Sequence, residues 1–167
     1  MNLKNYLIVY TDGSCNRKTR QGGFGIYMEY KAPSRSIIAT KTYNAGYYDT
    51  TISRMEMRAI LTAMRKIVDK QIKTVIVSDS ALCINAFNKG WVQRWRSEGW
   101  FDRPNADLWR AMLDEILKFK DLTLIHTRGH GKGKESYIHG NEMADRLADY
   151  KQFDNYLLDE EEKSCEL

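Results

Sequence analysis

Four acidic residues stand where acids are costly. Asp12 closes the apolar run of residues 6–11, and Asp79 closes the run Thr-Val-Ile-Val-Ser at 74–78. If the two runs are parallel neighbouring strands, both carboxylates emerge at one carboxyl edge, where open α/β sheets place ligand sites. Alone, either residue would serve equally as a turn or helix cap. Glu56 lies four residues after Ile52, three before Ala59 and four before Ile60. It therefore sits on the apolar stripe of an amphipathic helix. A buried, unpaired charge needs a compensator. Arg54 and Arg58 lie at neither of the spacings that make residues neighbours along a helix. Asp145 follows Ala144 and precedes Ala148 by three, with Asn141 one turn earlier. Taken singly, Asp145 reads as readily as a solvated helix acid. Taken together, the four carboxylates suit hard cations such as Mg²⁺ or Mn²⁺. Zn²⁺ is disfavoured, because no Cys/His set accompanies them. Two hard ions roughly 3.5–4 Å apart can activate a water and stabilise a leaving oxygen in phosphodiester cleavage.

The elements that must position these acids follow from periodicity. Strands are predicted at 6–11, about 23–31, about 35–47, 74–78 and 122–127. Helices are predicted at 51–69, after Asp79-Ser80, at 105–119 and at about 140–152, with a Gly- and Lys-rich loop at 129–140. Three tryptophans lie among charges within 90–102. This order implies an α/β fold, a mixed sheet with helices on both faces. With 167 residues, 43% of them hydrophobic, the chain fits one domain with a sizeable core. No apolar run approaches a membrane span. The start of the chain reads as a strand rather than a signal peptide. Cys15, Cys83 and Cys165 are scattered, which points to a reduced, cytoplasmic compartment. The net charge of +4 is uneven. Residues 154–167 hold six of the 22 acids and one of the 26 bases, leaving 25 bases against 16 acids in the body. A basic body suits a polyanion, although ordinary solubility explains it as well. The acidic residues 153–167 read as a flexible extension beyond a domain at 1–152.

Six short motifs then converge. Asp12-Gly13-Ser14-Cys15, Gly22-Gly23-Phe24-Gly25, Arg54-Met55-Glu56, Ser78-Asp79-Ser80, Arg128-Gly129-His130 and Gly140-Asn141-Glu142-Met143-Ala144-Asp145 resemble the type-1 ribonuclease H signature in the family's order. The match spans roughly residues 5–150. The resemblance implies a five-stranded mixed sheet of order 3-2-1-4-5 flanked by helices. It implies an endonuclease that hydrolyses the RNA strand of RNA–DNA hybrids with two metal ions, leaving 5′-phosphate and 3′-hydroxyl ends. Asp12, Glu56, Asp79 and Asp145 would ligate Mg²⁺, with Mn²⁺ as substitute, and Asp12 would bridge both ions. Glu56 is also expected near the ribose 2′-hydroxyl. His130 takes the position the family assigns to proton transfer or product release, a role its ordinary pKa suits. Asn141 and Glu142 would orient hydrogen bonds around Asp145.

Substrate contacts are expected from Gly13, Ser14, Cys15, Asn16 and Ser53, and from Lys132 and Lys134 in the glycine-rich loop. Trp91, Arg94, Trp95, Arg96 and Trp100 resemble the basic, aromatic protrusion with which many members grip a duplex. Trp91 and Trp95 fit a packed helix corner as well, so different rings are expected to serve different ends. The partner would be an RNA–DNA hybrid, met by a monomer with no membrane attachment.

The sequence departs from the family pattern at several points. Ile52-Ser53 stand where many bacterial members carry two Asn, and Ala81 stands where some carry Gln. The stretch between Trp100 and Trp109 is short and carries Asp102 and Asp107, with Glu98 just before it. Weaker and more salt-sensitive hybrid binding than in relatives with a full protrusion is therefore expected. Two other functions fit parts of the pattern. A junction resolvase or integrase core also uses strand-end carboxylates. A non-catalytic hybrid-binding module would be marked by loss of a carboxylate, and all four are present.

Overall fold

The computed structural model describes residues 4–100, 102–129 and 131–163. Its sheet is built on β1 (Tyr6–Cys15), which is antiparallel to β2 (Gly22–Lys31) and parallel to β4 (Thr74–Ser78). Alternation along β1 sends Val9 into a large core on one face and Ile8 and Tyr10 into a smaller core on the other. β3 (Ile37–Tyr48) pairs with β2, and β5 (Leu122–His126) pairs with β4. These five strands stand in the expected order. A sixth, β6 (Tyr156–Leu158), adds in parallel to the free edge of β3, so the sheet runs β5-β4-β1-β2-β3-β6.

The larger core lies under α1 (Ile52–Lys66), α2 (Ala81–Asn88), α3 (Trp91–Ser97) and α4 (Ala106–Ile116). Thr51 starts α1 by accepting the Arg54 N–H at 3.2 Å. The helix stops at Lys66, short of the expected 69, because Ile67 is already extended at ψ 111°. The opposite face carries α5 (Glu135–Ala148) against β1 and β2. This helix begins five residues earlier than its apolar pattern suggests and absorbs much of the expected loop. Two glycines set the helix heights. A Cβ on Gly13 would lie 2.5 Å from the Glu56 nitrogen, and one on Gly25 would lie 2.6 Å from the Ala148 nitrogen. Only glycine lets α1 and α5 approach the sheet so closely.

The acidic extension requires correction. Among its described residues it is docked rather than flexible. Asp159, whose side chain has no exposed surface, accepts from Arg54 Nε at 2.7 Å and Thr50 Oγ1 at 2.5 Å, and pairs with Arg58 at 2.6 Å. Arg54 also pairs with Asp107 at 2.9 Å. Glu162 bridges Arg58 and Arg65 at 3.3 and 2.7 Å. The run of like charge is tolerated because a row of α1 arginines faces it.

Candidate metal centre and nucleic-acid interface

The parallel ladder between β1 and β4 ends at the pair Thr11–Ser78. The next residues on the two strands are Asp12 and Asp79, so both acids leave the sheet at one edge. β1 continues past Asp12 to Cys15 because its other neighbour, β2, still pairs with it there. α1 crosses this edge at Gly13 and brings Glu56 to the same point. One oxygen from each of Asp12, Glu56 and Asp79 lies within 4.8 Å of the others. Asp12 is 7% exposed and Glu56 9%.

The electrostatics of this cluster are uncompensated from within. Asp12 Oδ1 accepts the Gly13 N–H at 2.8 Å. Glu56 Oε2 is buried with no hydrogen-bond partner. Arg54 and Arg58, the nearest cations along the helix, are committed to Asp107, Asp159 and Glu162. Burial, then the charges of Asp79 and Asp145, push the Asp12 carboxyl up to about 8. Burial, then Asp12 and Asp79, raise Glu56 well above the usual carboxylate range. Carboxylates crowded in this way either hold protons or hold a cation. The orphaned Glu56 oxygen and the all-oxygen donor set fit a hard divalent ion.

Asp145 lies outside that three-carboxylate group. It is exposed on α5, and its charge and side-chain hydrogen bonding still reach Asp12. Asn141, 4% exposed, leaves its Oδ1 without a partner one turn away. The loop after β5 comes back over Asp79 at Gly129, where a side chain would collide with the carboxylate. His126, the last residue of β5, sets Nε2 3.2 Å from the Asp79 carbonyl oxygen. Its proximity was not evident in the sequence, where it is simply a polar strand end.

Comparison with known proteins agrees with this geometry. The family model described as RNase H matches residues 4–152. The ribonuclease H of Syntrophus aciditrophicus is 33% identical over 147 residues, covering 85% of this chain and 78% of its own. That of Desulforamulus reducens is 32% identical over 152 residues, covering 88% and 87%. The chain belongs to the RNase H family. The crystal structure of LC9-RNase H1, described as a type 1 RNase H with the type 2 active-site motif, superposes with a TM-score of 0.72 at 26% identity, covering 87% of this chain and 71% of that one. The PFV RNase H domain shares the fold, with a TM-score of 0.70 at 22% identity over 87% and 93% of the two chains. As a ribonuclease H, the protein is a nucleic-acid-binding hydrolase.

Around the ribonuclease H centre, several residues expected at the substrate have structural work. Gly13 is packed under α1. Ser14 Oγ donates to the Ala148 carbonyl at 2.5 Å and accepts the Tyr150 N–H at 3.1 Å, tying β1 to the end of α5. Asn16 Oδ1 accepts the N–H groups of Lys18 and Thr19, and Cys15 Sγ faces the Thr50 carbonyl at 3.7 Å. Trp95 is 8% exposed and packs on Trp109 at 5.4 Å between ring centres. It is a core residue, which removes it from the duplex-facing set. Trp91 and Trp100 are half-buried under Lys89 and Arg110, and Arg94 and Arg96 are exposed on α3. Ser53 is half-buried at the start of α1. Lys132, Lys134 and Glu142 are exposed beside the β5–α5 connection. His130 lies outside the described residues. No helix among the described residues is long and apolar enough to cross a membrane.

Proposed function

We propose that this ribonuclease H is an endonuclease that hydrolyses the RNA strand of RNA–DNA hybrids at two divalent ions, Mg²⁺ with Mn²⁺ as substitute, leaving 5′-phosphate and 3′-hydroxyl ends. The observation that carries the reading is the buried group of Asp12, Glu56 and Asp79, with one Glu56 oxygen unpartnered. Asp12 interacts with Glu56, Asp79 and Asp145 and would serve both ions, and Asp145 would complete the set from α5. When bound, the ions activate the attacking water and stabilise the leaving oxygen. Glu56 would also lie near the ribose 2′-hydroxyl, a contact that would select RNA at the cut site. Asn141 steadies Asp145 from the same helix. His130 moves a proton at the departing group or helps product leave.

The duplex would be held by Asn16, Ser53, Trp91, Arg94, Arg96 and Trp100 on one side of the centre and by Lys132 and Lys134 on the other. Gly13, Ser14 and Cys15 act by fixing the backbone that carries Asp12. A monomer in the cytoplasm suffices for this chemistry.

The test is cleavage of an end-labelled hybrid with Mg²⁺, Mn²⁺ or EDTA, against duplex RNA, duplex DNA, a DNA junction and single strands. Metal-dependent cutting of the hybrid's RNA alone is expected. Preference for the junction would replace the reading with a resolvase, and tight hybrid binding without cutting would replace it with a binding module.

A further inference from the structure

α5 covers only part of its side of the sheet. It packs on β1 and β2 and barely touches β4. Val75 of β4 and Ile125 of β5 face that side and remain half-exposed. The bare strip over these strands is bordered by two hollows of about 690 and 310 Å³, which share Lys134 and Tyr137. The first lies at the carboxyl end of β5 and is lined by His126, Arg128 and Lys132. The second lies at the opposite end of the strands and is lined by Tyr6, Lys31, Arg35 and Lys73. Among the described residues, no carboxylate lines either hollow.

Arg54, Arg58, Arg65, Lys70, Arg94 and Lys118 all pair with acids. Arg35, Lys73, Arg128, Lys132 and Lys134 form no ion pair among the described residues. Several cations elsewhere, Lys41, Lys66, Arg96 and Arg110 among them, also form no ion pair among the described residues, but in this trench such cations gather around two adjoining hollows. Lys31 alone in the trench is paired, to buried Glu29 at 3.1 Å. Arg35 and Lys73 at one end, and Arg128, Lys132 and Lys134 at the other, of two five-residue strands roughly 15 Å long make a field that favours a line of phosphates. Tyr137 and Tyr6, both half-buried, offer ring surface at the wall. A basic groove with aromatic faces and no hydrogen-bonding code is the arrangement that holds single-stranded nucleic acid by stacking and charge. Its upper end opens beside Asp79, through His126.

We infer that this trench binds a single-stranded stretch continuous with the hybrid, on the sheet face opposite α1 to α4. The inference rests on the proposed hybrid substrate for its continuity with the active site, and on the trench alone for single-strand binding. It makes the enzyme favour hybrid ends and junctions that carry an unpaired strand.

The experiment measures binding of a fluorescent blunt hybrid, the same hybrid with a single-stranded extension at either end, and a free single strand. Ca²⁺ replaces Mg²⁺ to suppress cutting. The wild type is compared with Arg35→Gln/Lys73→Gln, two exposed residues without ion pairs, with circular dichroism confirming the fold. For the wild type, one extended hybrid is expected to bind at least about fivefold tighter than the blunt one, as for stacking of one base. In the variant that advantage disappears, blunt binding is unchanged, and the slope of log affinity against log salt falls by about 1.4 for the extended hybrid, about 0.7 for each cation removed. Equal affinity of blunt and extended hybrids for the wild type overturns the trench, as does an equal loss on both in the variant. If the blunt hybrid is neither bound nor cut in Mg²⁺ while the free strand binds the wild type and not the variant, the hybrid reading fails and the trench stands.

Discussion

Two buried clusters of charge sit a few residues apart on α1 and are built on opposite principles. Around Asp159 every charge has its counter-charge. Burial would raise that carboxyl, but the hydrogen bonds of Arg54 and Thr50 and the charge of Arg58 outweigh it and hold it below its usual value. Asp107 is held down in the same way by Arg54. Around Asp12 the carboxylates of Glu56, Asp79 and Asp145 gather, and burial and Asp79 push its carboxyl up to about 8. The first cluster is complete without a ligand and serves to fasten the chain. The second is the one that could hold a metal ion, and it is the cluster we propose for chemistry. Strongly perturbed groups with no protein partner are marks of function, and perturbed groups with full pairing are marks of structure.

The sharpest way to break this comparison is to neutralise one charge in each cluster. Asp12→Asn keeps an oxygen for the Gly13 N–H and removes a proposed metal ligand. Hybrid cleavage should fall by at least about 10²–10³-fold, the scale for loss of one preorganised electrostatic stabiliser, while the metal-free protein melts no lower than wild type. A lower melting temperature with activity retained would reverse the assignment. Asp159→Ala should behave oppositely. It strands Arg54 and Arg58 in partial burial and should destabilise by about 3–5 kcal/mol in urea denaturation, with kcat of the folded protein little changed.

pH sharpens the contrast further, because the two clusters have opposite signs. Asp12 is raised, so its contribution is complete below the ordinary carboxylate value and declines as pH rises, vanishing above about 8. Asp159 is lowered, so its contribution is present above the ordinary value and is lost as pH falls through its folded value. Denaturation midpoints in EDTA at pH 5, 7 and 9 should therefore decline, and saturating Mg²⁺ should flatten that decline by taking the place of the protons. Between pH 5 and pH 3 the trend should reverse as the Asp159 clamp opens. The smallest effect belongs to Glu162→Gln. Its bridge to Arg65, which is 45% exposed, is open to solvent, so less than about 1 kcal/mol should be lost.

Much of the centre was legible in the sequence. Asp12 and Asp79 are visible as strand-end acids because each closes an apolar run, and Glu56 is visible because helical spacing puts it on the apolar stripe. Such patterns are local and survive in a string of letters. The docked tail was not legible. Its acids look solvated until β6 pairs with β3 and the arginines of α1, about a hundred residues earlier, turn out to face them. For Trp95 the sequence left a core and a surface role open, and only its packing on Trp109 decides for the core.

The sequence by itself determined which residues carry charge on which face of which element, and therefore where unpaired carboxylates would be forced together. Only the tertiary structure decided which of those charges met a counter-charge. Pairing depends on distances through space between distant segments, whereas periodicity encodes only the direction in which each side chain leaves its own segment. Thus Glu56 and Arg54, two residues apart on one helix, end in opposite roles. One faces the carboxylates gathered at the strand ends, and the other is held by Asp107 and Asp159 from segments distant in sequence.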